Sequence, residues 1–355
     1  MKTLPHSLLA AAVLWSSAGQ AAPAPASPAP DSRLEVVAVS DTRPGNVAVS
    51  AQGRVFATYH PLGGSKVQLG EVKDGRIQPY PNTSVQNNGA AASESTLDSP
   101  LGIGVDGKGR LWVIDMGLKL GKTRLWSFDL KTNTVARKYE LSADIAPKGS
   151  FVQDFAIDET RGWAYLADIA NPGIIALNLD SGKARRFGGY PALQSEDIDM
   201  KIDGHVTQFN GKPARVGINP ITLSPDRQTL YFGAMNGTTW YRLPAKLLRE
   251  GADDAVIAKA IAPVGPKPIS DGVATDRKGD HYFTDLQRHA IARLGRDGKL
   301  HEVLRDPRLQ WPDNLAVGAD GWIYLSVNQL DRTPAFTGGA DEGRPPYYLY
   351  RFRAR

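Results

Sequence analysis

LGIGVDGKGRLWVIDMG, from Leu101 to Gly117, reads as two short apolar strands joined by a tight DGKG turn. Val105, Leu111 and Val113 alternate with smaller or polar residues, the period-2 pattern of a strand pair with one buried face. Asp106-Gly107 is expected to supply the positive φ that such a turn needs. The stretch is a repeat unit, because variants of it recur at Gly45–His60, Gln153–Ile169, Ile218–Asn236, Ser270–Leu286 and Pro312–Asn328. Each is followed by further short strands and Gly/Asp turns. Repeats of that length, built from short strands, predict a propeller rather than a sandwich.

Composition agrees with this reading. The chain has 355 residues, 41% hydrophobic and 22% charged, enough to bury a sizeable core. Its 36 Gly and 25 Pro point to many turns and little helix. The formal charge is +5, and 42 basic residues are interspersed with 37 acidic ones rather than gathered in blocks, so no nucleic-acid partner is expected. There is no cysteine, which excludes disulfides, thiolate metal sites and a Cys nucleophile.

Residues 1–21 have the pattern of a secretory signal: Lys2, an apolar centre from Leu8 to Trp15, and small residues suited to cleavage at Gly19-Gln20-Ala21. A Pro/Ala-rich leader, 22–32, follows, and 33–355 reads as one domain of a secreted or periplasmic protein. No segment is long and apolar enough to predict membrane insertion. The last repeat has three strands before Arg355, while Arg33–Ser40 (RLEVVAVS) is a lone strand ahead of the first. The expected architecture is therefore an all-β six-bladed β-propeller whose N-terminal strand closes the last blade. An insertion, Tyr190–Arg215, and a loop, Leu330–Pro346, are expected to cover one rim, and LPAKLLREGADDA to form one short helix.

In a propeller the first strand of each blade lines the central channel. Matching the repeats puts Pro44, Leu101, Gln153, Asn219, Asp271 and Asp313 at its entrance, with Asn46, Asp154 and Asn314 one or two places on. Carboxylate and amide oxygens of this kind suit Ca²⁺ or another hard divalent ion. A second ring, Asp115, Asp168, Asp285 and Asn328, ends the second strands beside Met116, Met235 and Asn236. An Asp at a strand end also caps turns through its own side chain. GIGVDG matches GxGxxG by letters but lies in a hairpin with no helix after it, and no GxSxG, HExxH or P-loop occurs. Among the histidines, His289 beside Arg288 is placed to reach the pocket as an acid or base. Trp112, Trp163 and Trp322 occupy matching second-strand positions and are expected to pack between blades.

The motifs LWVIDMG, DFAIDETRGWAYLAD, GIIALNLDSGKARR, IDGHVTQFNGKPARVGINPITLSPDRQTLYFGA, DGVATDRKGDHYF and WPDNLAVGADGWIYLSVNQL, in this order from about Leu101 to Gln329, resemble the major royal jelly/yellow proteins. Bacterial members of that family are labelled dopachrome tautomerase related. The resemblance implies a secreted six-bladed propeller whose axial pocket binds aromatic amines in some relatives and is associated with dopachrome conversion in others. Asp115, Asp154, Asp168, Asn219, Asp313 and Asn328 match family motifs near that pocket. More distantly, NPITLSPD and DGVATD resemble metal-bearing blade starts of the regucalcin/gluconolactonase propellers, which implies Asn219 and Asp271 as ligands. The third amide of that pattern falls on Leu101 or, with a shifted alignment, Gln153, and no glutamate lies near Pro44.

Three functions stay open on the sequence. One is a small-molecule pocket for an aromatic amine or quinone-like ligand, with or without dopachrome-type isomerisation, which requires no cofactor. Its candidates are Asp115, Asp154 and Asp313 as acids and bases, and Asp168, Asn219, Asp271, Asp285 and Asn328 as ligand-binding residues. The second is a divalent-metal-dependent lactonase holding its ion on Asn219 and Asp271. The third is a non-enzymatic interaction module. Fold alone does not choose among them.

Overall fold

The computed structural model describes residues 30–354, so the expected signal, 1–21, and most of the leader lie outside the described residues. The chain forms four four-stranded sheets, one eight-stranded sheet and two small two-stranded ones. The opening stretch supplies Pro100–Val105 and Arg110–Asp115, continued outward by Arg124–Asp129 and Thr134–Glu140. The other four-stranded sheets begin at Val152–Asp158, Ile218–Leu223 and Val273–Thr275. These first strands pack side by side in chain order. Pro312–Val317 completes the circuit by packing on both Val273–Thr275 and Pro44–Val49, and the Val47 N–H donates to Asn314 Oδ1 at 3.2 Å across the junction. The result is an all-β, propeller-like arrangement with its first strands around an axis.

The eight-stranded sheet differs from the separate sheets the repeats predict. It runs Pro44–Val49, Val55–Tyr59, Leu69–Lys73, Arg76–Pro79, Glu35–Ser40, Tyr347–Phe352, Ile323–Val327, Pro312–Val317. Glu35–Ser40 pairs antiparallel with Tyr347–Phe352 along its length, whereas one parallel bridge, Val39 to Arg76, joins it to the neighbouring strand. The Val39 N–H donating to Gly75 O at 3.0 Å makes that junction.

Apolar side chains fill the spaces between sheets. Phe56, Leu69, Leu111, Val113 and Phe128 pack between the first and second repeats, and full burial of each such side chain contributes about 1.5–3 kcal/mol. Trp112 is buried, donates its indole N–H to Asp106 Oδ2 at 2.8 Å and lies under the Arg110 guanidinium. Trp163 and Trp322 also pack against core clusters. The DGKG turn closes differently from the expectation. Asp106 Oδ1 accepts the N–H groups of Lys108 and Arg110, and the positive φ falls on Gly109, at +74°. The side chain of Asp106 thus completes the turn, moving the left-handed residue to its end.

LPAKLLREGADDA gives two helices, Ala245–Arg249 and Asp254–Ala260, because Gly251 turns left-handed between them at φ +71°. The 190–215 insertion folds as two small hairpins, Lys201–Ile202 with His205–Val206 and Gln208–Phe209 with Lys212–Pro213. Its Met200, Ile202 and Ala214 pack on Met235, Trp311 and Leu330, which seats it on the rim. No helix among the described residues is long and apolar enough to cross a membrane.

Two backbone devices draw the first strands together. The register slips at the start of the first strand in five repeats: Pro44/Val47, Pro100/Ile103, Val152/Asp154, Ile218/Ile221 and Pro312/Leu315. Each slip is a bulge, which re-aims side chains that a regular strand would alternate between faces. Glycine follows the entrance residue where neighbouring backbones touch. A Cβ on Gly272 would overlap the Asp313 carbonyl oxygen and lie 2.7 Å from Asn314 Cα. Gly272→Ala is therefore expected to lower stability by about 1–3 kcal/mol, the usual range for overpacking. Gly339→Ala, where a Cβ would meet nothing within 4 Å, should melt like the unaltered protein in the same thermal denaturation series.

Candidate functional site

Four of the six expected entrance residues line one cavity, while Pro44 and Asn219 do not. A cavity of about 220 Å³ on the axis is lined by Leu101, Gln153, Asp271 and Asp313 from first-strand positions. Its outer wall is mostly apolar, with Leu62, Phe151, Ile169, Met235, Leu330 and Phe336, and includes Arg215, which pairs with Asp197 and Asp199. Trp311 completes it from the residue before Pro312–Val317, and Phe336 packs edge-on against the Trp311 ring at 5.0 Å. Phe209 of the insertion packs on Phe336 in turn, at 5.2 Å. The rim loops thus cap the cavity with an aromatic chain.

Asp271 is the centre of the polar wall. Its Oδ2 accepts the Trp311 indole N–H at 2.7 Å. Its Oδ1 accepts from Asn219 Nδ2 at 2.5 Å and more weakly from Gln153 Nε2 at 3.4 Å. Gln153 Nε2 also donates to Asn219 Oδ1 at 2.5 Å. Burial pushes the Asp271 carboxyl up to about 6, against these three hydrogen bonds, which favour its charged form. Asp313 accepts from Asn328 Nδ2 at 2.5 Å. Burial, reinforced by the nearby charges of Asp271 and Asp154, holds Asp313 well above the usual carboxylate range. Asp154 faces the opposite mouth of the channel, a cavity of about 320 Å³ that it lines with Asn314; burial raises its carboxyl too.

The second ring is not part of this cavity. Asp115 accepts from Arg124 Nη2 at 2.6 Å and from the N–H groups of Asp98 and Ser99, with both charged side chains fully buried. Asp168 pairs with Arg186 at 3.0 Å and accepts the N–H of Phe151, so it anchors the loop that carries a cavity residue. Asp285 accepts the Arg288 N–H at 3.2 Å, and burial pushes it up to about 6. His289 is held on the rim between Asp203 Oδ1, at 2.8 Å, and Leu309 O, and it does not line the cavity.

Among the cavity residues that the repeat matching does not single out are Trp311 and His60. Pro44 pairs with Tyr59 as Pro100 pairs with Asp115, and Ile218 with Ala234. His60 therefore stands where Met116 and Met235 stand in their repeats, a position the register could have supplied. Trp311 precedes a first strand, where the repeats share no residue type.

The donor set does not fit a hard divalent ion. The Asn219 and Asp271 oxygens accept from amide and indole donors that a metal ion would have to displace, and the trio of Gln153, Asn219 and Asp271 offers it a single carboxylate. Among the described residues no group of three or more His, Cys, Asp or Glu is arranged to hold a metal.

Removing one partner of a fully buried ion pair leaves the other charge stranded, at about 3–5 kcal/mol. Asp115→Ala, which strands Arg124, should lose stability on that scale in denaturant unfolding, while Asp154→Asn should not. Asp154 ionises with more difficulty folded than unfolded, so the native protein loses stability as pH rises from about 4 toward the raised value. The stability of Asp154→Asn relative to the native protein should accordingly increase between pH 4 and 8.

Residues 98–341 match the family model described as major royal jelly protein. The chain is 29% identical over 188 residues to protein yellow of Drosophila yakuba, covering 48% of this chain and 34% of that protein. Protein yellow of Drosophila melanogaster matches with the same identity, coverage and extent. The chain thus spans about a third of the length of the curated relatives it matches. Among solved structures it resembles a gluconolactonase from Xanthomonas campestris (TM-score 0.56, 14% identity, 91% of this chain and 89% of that one). It also resembles a virginiamycin B lyase from Staphylococcus aureus (TM-score 0.52, 17% identity, 90% and 98%). Identities this low speak to the fold alone. The family match covers more than half of the sequence, with the channel residues Leu101, Gln153, Asn219, Asp271 and Asp313 inside it, and the chain belongs to the major royal jelly protein family.

Proposed function

We propose that the axial cavity binds a small ligand with an apolar, planar body and an amine or quinone-like head, and that Asp271 and Asp313 move a proton on it. The observation that carries this reading is the pairing of two buried carboxyls with an aromatic-capped apolar wall. At about 220 Å³ the cavity is below the ~300–1,000 Å³ of drug-sized sites, which favours a single-ring or fused-ring ligand. Two such carboxyls do not both ionise readily. Charge on Asp271 favours a protonated Asp313, which makes one a base and the other an acid. Tautomerisation needs those two groups and no cofactor: Asp271 takes a carbon-bound proton and Asp313 returns one to a different atom. A lactonase reading would need a metal, which the hydrogen-bonded Gln153, Asn219 and Asp271 do not favour.

In the same reading the eight-stranded sheet is two blades fused at one bridge, giving a six-bladed domain over 33–355 that the N-terminal strand closes. Support comes from the long antiparallel pairing of Glu35–Ser40 with Tyr347–Phe352, against the single parallel bridge on its other side. Export, supported by the pattern of residues 1–21, would bring the pocket into contact with extracellular or periplasmic small molecules.

A cationic amine is attracted by the charged form of Asp271, which forms as pH rises through about 6. The thermal shift given by tyramine, dopamine or tryptamine should therefore be larger at pH 7.5 than at pH 5, and Asp271→Asn should abolish the difference. No shift with any aromatic amine, indole or catechol, together with no turnover of dopachrome, would refute the reading.

A further inference from the structure

His60 lies at the end of Val55–Tyr59 and is 3% exposed. Its backbone N–H donates to Arg43 O at 3.1 Å. The ring Nδ1 accepts the N–H of Leu62 at 3.2 Å, capping the short turn Pro61–Gly63. An Nδ1 that accepts carries no proton, so the hydrogen of the neutral ring sits on Nε2. That nitrogen has no hydrogen-bond partner among the described residues, yet it is not one of the sealed, unpartnered atoms. The openings available to it are the two cavities His60 lines: the axial one, and a side cavity of about 220 Å³ bordered by Gln68, Asn87, Asp98 and Lys119. The surroundings hold the ring neutral. Burial, followed by the positive charge of Arg43, pushes it down to about 3. Arg43 is fixed beside it by a two-armed pair with Asp341, 2.6 Å on each arm.

A ring donor that has no protein acceptor and still opens onto a cavity is free to meet an acceptor that enters it. We propose that His60 donates its Nε2–H to an oxygen of the ligand in the axial cavity, so that the site selects molecules bearing a carbonyl, quinone or phenolic oxygen. The inference rests on the small-ligand reading above and adds a second polar point to it. In the circuit around the axis one first strand, Pro312–Val317, lies between Pro44–Val49, the first strand of the His60 repeat, and Val273–Thr275, the first strand of the Asp271 repeat. A ligand spanning the cavity therefore meets a carboxylate from one sheet and a neutral donor from another. A neutral histidine in this role polarises a ligand carbonyl without giving up its proton, and it does so equally well across the physiological pH range.

Calorimetric titration with two probes tests this: tyramine, and phenethylamine, which lacks only the phenolic oxygen. The native protein should bind tyramine about three- to tenfold tighter, the worth of one net hydrogen bond. The ratio should stay constant from pH 5 to 8, because the amine's interaction with Asp271 is common to both probes and cancels. His60→Phe should bring the ratio to about one with phenethylamine binding retained. His60→Gln, whose amide keeps a donor at similar reach, should preserve part of the preference and covers the case in which the Phe variant fails to fold. Equal binding of the two amines by the native protein, a preference unchanged in His60→Phe, or one that develops only below pH 6.5 would overturn the role of His60 while leaving the pocket reading intact. Failure of both amines to bind, together with no thermal shift from any indole or catechol and no turnover of dopachrome, would overturn the two together.

Discussion

The close approach of the first strands is the constraint on which the rest of the molecule depends. Bulges at their starts and Gly102 and Gly272 at the contact points let neighbouring backbones meet where a side chain would block them. Channel-facing residues from different repeats are thereby forced into a few ångströms of shared, poorly hydrated space. Amides in such a place bond to one another, as Gln153 and Asn219 do. Carboxyls are driven toward their neutral forms unless a cation joins them. The chemistry of the cavity follows from the packing of the backbone around it.

The aspartates of this chain show how far environment outweighs residue type. Asp115 and Asp168 each end a second strand, each is buried, and each is matched by an arginine from a strand further out in the same sheet. Those pairs fix loops and leave no oxygen for a ligand. Asp271 and Asp313 are as deeply buried but have amides and an indole as partners in place of arginine. The first pair of aspartates holds the scaffold, and the second faces the cavity.

Much of the fold was legible because its determinants are local. Alternation such as that of Val105, Leu111 and Val113, and turns such as DGKG, lie within a dozen residues, and the repeats multiplied the signal. Aligning the repeats also located Gln153, Asn219, Asp271 and Asp313, since entrance position is a property of register. What the repeats hid was non-local. Arg124 and Arg186 withdraw Asp115 and Asp168 from the pocket from positions 9 and 18 residues away, and neither arginine marks itself in the sequence. Trp311 depends on how a loop enters its strand, and the bridge from Val39 to Arg76 joins sheets that the repeats present as separate. The break between Ala245–Arg249 and Asp254–Ala260 is a smaller case, in which one left-handed glycine divides a run of good helix formers.

If burial and mutual repulsion govern the channel, Asp271 and Asp313 both titrate above the ordinary aspartate range. Carboxyl-carbon NMR of the protein labelled at aspartate, titrated from pH 4 to 8, tests it most directly. The expected result is an aspartate signal, lost in Asp271→Asn, that titrates at about 6, and another, lost in Asp313→Asn, that titrates well above the usual carboxylate range. Ionisation of every aspartate by about pH 5, near the ordinary range for the residue, would contradict it.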